Sequence, residues 1–378
     1  MRTCQKSAAR LLSVVLILSV LLCGCDLSFL SDSGTPTGEQ AKRPNTIENF
    51  HLKHFLQDLD TRSQENIFAL YYAAMHFEET CYLPYPMPQE RASALLATLC
   101  YECPELFQLD LTQSTSYSHY ENDPNVFAIK LPYCMDENTY HAKKAQVVQV
   151  LSSFDTAGMD AAQAEKYLYD TLCSSITYSD SSPDAGNAYG ALVQGLAKCD
   201  GIAYAMKWAM ENAGFVCLMV AGDAVDGGIG HAWNILPIDG VFYHLDVTAD
   251  VKTDTRSHIL YPAYNVNMGW LVRYYTIYPF LNIPADQVDM QNSYHGKAGN
   301  YFTYQDDWRN AVKNRFVESY HSGQPFTLQF ATQVTYESCL SELEALFKEA
   351  ASQVGFRRWS WNTTYIEKYH LISVQVTP

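Results

Sequence analysis

Three residues between positions 199 and 246 have the types and spacing for thiol chemistry. Cys199 sits in Gln194-Gly195-Leu196-Ala197-Lys198-Cys199-Asp200-Gly201-Ile202, where a helix is expected to begin. That helix should run to about Asn212 and stop at Gly214, because glycine adopts the left-handed conformation that ends helices. Ile202, Ala205, Met206 and Ala209 recur at helical spacing and give it a core face. A cysteine at such a start meets free amides and the positive end of the helix dipole, and both favour thiolate over thiol.

His231 opens the segment His231-Ala232-Trp233-Asn234-Ile235-Leu236-Pro237-Ile238, which alternates as a strand does. Asp239-Gly240 is the residue pair of a type I′ hairpin turn, and Val241 to Thr248 is the expected return strand. If Ile238 pairs with Val241, His231 faces Thr248 and Asp246 faces Trp233. His231 and Asp246 then share one face as diagonal neighbours, about 7–8 Å apart at Cα and within reach of a hydrogen bond. In this register Pro237 occupies a position without a ladder bond, where its missing N–H costs nothing. The combination suits acyl transfer. A thiolate needs an imidazole that stabilises it and then protonates the leaving amine. A carboxylate must in turn orient that imidazole. The backbone N–H of Cys199 is the expected first oxyanion donor, with Tyr189 or Gln194 as the side-chain donor. The glycine-rich stretch from Asp223 to Gly230 precedes His231 and is either a lid or a long hairpin connection.

At these residues the chain resembles the bacterial transglutaminase-like superfamily. The matching blocks are Cys199-Asp200-Gly201, Ala213-Gly214, Val220-Ala221-Gly222, His231-Ala232-Trp233-Asn234, Asp239-Gly240 and Phe242 to Thr248. Tyr178 and Tyr189-Gly190-Ala191-Leu192 also fit. The resemblance covers about 100 of 378 residues. It implies Cys199 as nucleophile, His231 as general base and acid, and Asp246 as orienting carboxylate, on a papain-like α+β fold. Ala197 and Ile202 stand where the family often has glycine and an aromatic residue, which bears on the substrate rather than on the reacting atoms.

The elements that must hold this site follow from periodicity. Asn45 to Glu79, Pro88 to Cys100 and Asn138 to Phe154 read as helical, with strand-like patterns at Tyr117 and Val126 to Leu131. Asp160 to Ser174 is a further helix leading into Ile176-Thr177-Tyr178. Trp308 to Tyr320 and Tyr336 to Ser352 read as helices, and Phe326–Phe330 and His370–Val376 as strands. The expected organisation is an N-terminal α+β region at 47–155, a transglutaminase-like core at 156–260 in which a helix bears the cysteine and an antiparallel sheet bears the histidine and aspartate, and a C-terminal α+β region at 261–378.

The N-terminus reads as an export signal over residues 1–24. Arg2, Lys6 and Arg10 precede an apolar run of 12 residues, Leu11 to Leu22, which is short of the ~20 needed to span a bilayer. Leu22-Cys23-Gly24-Cys25 resembles a bacterial lipobox and implies lipidation of Cys25, with residues 25–46 as a flexible Ser, Gly and Pro tether. The expected location is extracytoplasmic, anchored to the cell membrane by lipid. Without the signal, the chain carries 22 basic against 41 acidic residues, and such a surface repels nucleic acid. No cofactor or metal is expected. Cys100-Tyr101-Glu102-Cys103 has no second ligand pair for zinc, so it reads as two buried thiols or one local disulfide. The expected substrate is a peptide, protein or cell-wall amide, taken to water or to an amine. A non-catalytic surface binding or scaffold module on the same fold is the alternative.

Overall fold

The computed structural model describes residues 46–251, 259–285 and 288–378. The proposed signal, tether and lipidation site at Cys25 lie outside the described residues. In chain order the principal elements are α1 (Thr61–Met75), β1 (Thr80–Pro88), α2 (Gln89–Glu102), β2 (Ser116–His119), β3 (Asn125–Lys130), α3 (Glu137–Leu151) and α4 (Ala161–Ser175). They continue with α5 (Cys199–Asn212), β4 (Leu218–Ala224), β5 (His231–Ile238), β6 (Val241–Leu245) and β7 (Tyr275–Ile277). The last are β8 (Tyr301–Phe302), α6 (Trp308–Ser322), β9 (Phe326–Phe330), α7 (Gln333–Val354), β10 (Ser360–Ile366) and β11 (Leu371–Thr377). The fold class is α+β, and its sheets are chiefly antiparallel. Among the described residues no helix is long and apolar enough to cross a membrane.

Helix starts follow local chemistry. The Asp60, Asp136 and Thr332 side chains accept from the amides of Ser63, Thr139 and Thr335, satisfying donors that the first turn leaves open. The Asp60 cap also explains why the expected helix from 45 to 79 is broken. It resolves into short turns at Phe50–Leu52 and His54–Gln57, then α1.

The described residues divide into two compact units that do not follow chain order: those of 46–168, 179–234 and 274–283 form the first, and those of 169–178, 235–273 and 284–378 the second. In the first, α1 and α2 cover the sheet β1–β3–β2 and bury a core of Ile67, Leu70, Leu96, Leu99 and Ile129. Burying each such side chain contributes about 1.5–3 kcal/mol. The same unit contains α5, the β4–β7 pair and the opening residues of β5. Gly222 of β4 lies so close to β7 that an added Cβ would sit 2.4 Å from the Thr276 carbonyl oxygen. In the second unit, β6 follows the later half of β5, and α6 and α7 pack on a sheet of order β8–β9–β11–β10.

A cluster of charges lies inside the first unit. Lys53 Nζ is 2.8 Å from Glu211 and 3.6 Å from Glu105, and Lys207 Nζ is 2.8 Å from Glu211 and 3.5 Å from Glu102. Lys207 also donates to the Cys217 carbonyl at 2.6 Å. All five charged side chains are buried. Burial pushes the Glu102 carboxyl up, against the pull of Lys207. Burial would lower both lysines, yet the surrounding glutamates outweigh it and hold them above their ordinary values. Lys207 and Glu211 project from α5, so this cluster ties the helix that begins at Cys199 to the N-terminal region.

Candidate active site

Cys199 is the first residue of α5, as its sequence context predicts, and α5 ends at Asn212 with Gly214 at φ 90°. The adjoining Gly201 has a steric reason. A Cβ there would lie 2.4 Å from the Ala185 carbonyl oxygen and 2.9 Å from that of Asn187. The first turn of α5 is therefore pressed against the 184–187 loop. That loop is held by Lys143, whose ammonium lies 2.7 Å from each oxygen of Asp184.

The thiol of Cys199 donates to Asp200 Oδ1 at 3.2 Å, while Lys198 Nζ lies 3.1 Å from Asp200 Oδ2. One carboxylate thus bridges the thiol and an ammonium. Burial would lower the Lys198 ammonium, but Asp200 and its neighbours outweigh it and hold it above the usual range. Sequence reasoning assigned Asp200 no role, although a carboxylate beside a cysteine opposes the thiolate by like charge.

His231 opens β5 and is 7% exposed. Its ring stacks on Tyr275 at 5.0 Å and on Trp233 at 5.9 Å. Asn234, three residues further, donates to the Ala203 carbonyl at 3.0 Å and to the Leu218 carbonyl at 3.3 Å. One side-chain amide therefore fixes the start of β5 against both α5 and β4. The Trp and Asn of the His-Ala-Trp-Asn block hold the imidazole ring and its strand in place.

Asp246 belongs to the second unit and is 1% exposed. The Tyr369 hydroxyl donates to its Oδ2 at 2.9 Å, and its own amide donates to the Ala263 carbonyl at 2.9 Å. Nothing in the sequence pattern pointed to Tyr369, which lies 123 positions away. The Asp239-Gly240 turn has φ of 51° and 78°, the positive pair of a type I′ turn. The return strand is shorter than expected. β6 ends at Leu245, and Thr248–Val251 is a helical turn built on the Asp246 and Val247 carbonyls, which accept from Ala249, Asp250 and Val251. The ladder that would carry Thr248 opposite His231 therefore stops before that residue.

In the first unit a cavity of about 190 Å³ is lined by Tyr101, Phe107, Asp200, Tyr204, His231 and Tyr278, among others. His231 and the carboxylate bonded to Cys199 thus face one space. Much of its lining comes from residues between Cys100 and Thr112 in the N-terminal region, for which the sequence had indicated no chemistry. The two side chains expected as oxyanion donors point elsewhere. The Tyr189 hydroxyl is 3.5 Å from Gln146 Oε1, with the Lys143 ammonium over its ring. The Gln194 amide is engaged by Ser182 at 2.6 Å and Asp184 at 3.3 Å. Neither lines the cavity. Among the described cysteines no disulfide forms. Those of the Cys-x-x-Cys pair are buried thiols, with Cys100 pushed up to about 12 by burial.

Together these features define an α+β protein with a cysteine at a helix start and a histidine on an adjacent strand. Residues 148–247 match the family described as Transglutaminase-like superfamily, so this stretch is a transglutaminase-like domain, consistent with a papain-like core. A solved structure titled "Crystal structure of a TGase" is similar at 10% identity and a TM-score of 0.26, covering 44% of this chain and 50% of that chain. The chain thus spans about half the length of that relative. Comparison with curated proteins gives no match.

Proposed function

We propose that this protein acts by thiol acyl transfer on an amide or peptide substrate, through Cys199 as nucleophile, His231 as general base and acid, and Asp246 as orienting carboxylate. The observation that carries the reading is the cavity faced by both His231 and the Asp200 carboxylate bonded to Cys199, within a domain of the transglutaminase-like kind. Sulfur attacks the carbonyl carbon, His231 protonates the departing amine, and the acyl-thioester passes to water or to a second amine. Three tyrosines and Phe107 around the cavity fit a partly apolar substrate. Asp110 and Asp200 in its lining disfavour an anionic one. A peptide, a protein or a cell-wall amide satisfies these requirements.

One contact favours a second reading, a binding module without turnover: the thiol rests against a carboxylate. A thiol-reactive probe at neutral pH separates the two. Labelling concentrated on Cys199, and lost in Cys199→Ala, supports acyl transfer. Labelling spread evenly over other cysteines sinks it. Mass spectrometry of surface peptides incubated with wild type and Cys199→Ala then tells new isopeptide links from new chain ends. Lipid anchoring through Cys25, outside the cytoplasm, belongs to the same proposal. A Cys25→Ser chain that still partitions into detergent with the membrane fraction would refute the anchor.

A further inference from the structure

The side-chain oxyanion donor can be sought among the polar groups that face the cavity. Most are already committed. The Tyr278 hydroxyl donates to Asp223 Oδ1 at 3.1 Å. Asp200 receives the thiol and Lys198. Asp110 receives Thr112 and Gln113. The Asn187 amide bonds Asp184 and the Gly190 amide.

Tyr101 and Tyr204 are different, because neither hydroxyl has a hydrogen-bond partner among the described residues. The Tyr101 ring is held edge-on to Phe280 at 5.8 Å and tilted on Tyr204 at 6.5 Å. It packs with Ala203, Met219, Ala221, Ala232 and Tyr278, of which Ala203 lies on α5 with Cys199 and Ala232 on β5 with His231. A partly buried phenol packed in this way, lining the cavity and with an unspent proton, can donate to whatever enters. Burial pushes Tyr101 well above the usual phenol range, and the negative charge available at Asp200, Tyr278 and Cys199 adds to this, so it stays a donor at any working pH. Of the two, Tyr204 projects from α5 itself, five residues beyond Cys199 and so about 140° around the helix from it, whereas Tyr101 comes to the cavity from α2.

We infer that Tyr101, supplied by the region N-terminal to the matched domain, is the side-chain donor that stabilises the oxyanion formed when Cys199 attacks a substrate carbonyl. The inference rests on the acyl-transfer reading. As the S–C bond forms, the carbonyl π pair moves onto oxygen. The Tyr101 O–H hydrogen-bonds that charge without giving up its proton. On collapse the pair returns, the C–N or C–O bond breaks, and the leaving group departs with the proton held by His231.

The test compares two reactions of one thiol on the full chain in detergent. p-Nitrophenyl acetate acylates through a tetrahedral oxyanion, whereas iodoacetamide alkylates at saturated carbon and forms none. Tyr101→Phe keeps the ring and removes only the hydroxyl. The expected result is a loss of about 10²-fold in the acylation rate constant, the range for one oxyanion donor, with alkylation of Cys199 unchanged. Acylation at the wild-type rate overturns the inference, and so does an equal loss in both reactions, which marks a packing role. A selective loss in Tyr204→Phe in place of Tyr101→Phe also overturns it. Ester reactivity that survives Cys199→Ala, or a wild-type Cys199 that alkylates but never acylates, overturns the acyl-transfer reading itself, and this inference with it.

Discussion

Asp200→Asn should make Cys199 more reactive. In the structure the thiol donates to Asp200 Oδ1 at 3.2 Å. Once the proton leaves, sulfur and carboxylate are two negative charges at that separation. Their repulsion is about 1.3 kcal/mol in water and about 5 kcal/mol at an effective dielectric constant near 20. At about 1.4 kcal/mol per pKa unit, this corresponds to roughly one to four units. Lys198 Nζ, 3.1 Å from the other oxygen, offsets part of the charge, and the carboxylate is partly exposed, so the low end applies. Replacing the carboxylate by an amide removes the repulsion, frees Lys198 to face the sulfur and supplies an N–H donor. All three act in the same direction. The expected outcome is a fall of about one unit in the pH at which iodoacetamide alkylation of Cys199 is half-maximal, or about tenfold more thiolate at any pH below that point. Stopped-flow alkylation from pH 5 to 9, with the modified residue located by mass spectrometry, measures it. A midpoint that stays put or moves up would show that the carboxylate does not restrain the thiol.

Three further outcomes follow from the geometry. Lys207→Met leaves Glu211 and Glu102 without their shared buried cation and should cost about 3–5 kcal/mol in urea unfolding; a loss under 1 kcal/mol would contradict the arrangement. Gly201→Ala would ordinarily help a helix by about 1 kcal/mol. Here the Cβ meets the Ala185 carbonyl oxygen at 2.4 Å, so it should instead destabilise by about 1–3 kcal/mol and slow alkylation of Cys199. Burial lowers His244 to about 3 and His295 to about 4. Their depressed folded values mean that stability present above the unfolded value of about 6.5 is lost as pH falls towards 4. Asp250 acts oppositely, because burial raises it to about 6 and its contribution disappears as pH rises through that value. The two histidines should outweigh the one aspartate, so thermal melts should shift down between pH 6.5 and 4, and His295→Gln should flatten that slope.

Much of the site was legible because its determinants are local. The helix start at Cys199, the strand from His231 and the Asp239-Gly240 turn each follow from a few adjacent residues. Elements set by distant partners were not. β1 carries Pro84, Pro86 and Pro88, which argue against a strand. It is nevertheless an edge strand, irregular between Tyr82 and Met87, where missing N–H groups are tolerated. β10 is also an edge strand, largely solvent-facing, so it has no clean alternation to read. The return strand was extended too far because Val247 and Thr248 suit strands, whereas the Asp246 and Val247 carbonyls are taken by the helical turn that follows. Tyr189 and Gln194 were expected near the reacting atoms from their proximity in sequence to Cys199, but their polar ends serve the 182–187 loop and α3. Tyr101 was invisible, since nothing about a tyrosine 98 positions before the cysteine marks it as a neighbour.

The buried ionic cluster also has a consequence for the order in which the chain can fold during synthesis. Lys53 meets Glu211 across 158 positions, so the N-terminal region is finished long before the countercharges on α5 exist. Until those residues are made, Lys53, Glu102 and Glu105 keep their hydration and the region cannot close dry. The ribosome must deliver α5 before the first segment has a completed interior, and a fragment ending near residue 155 should remain a loose, water-penetrated intermediate.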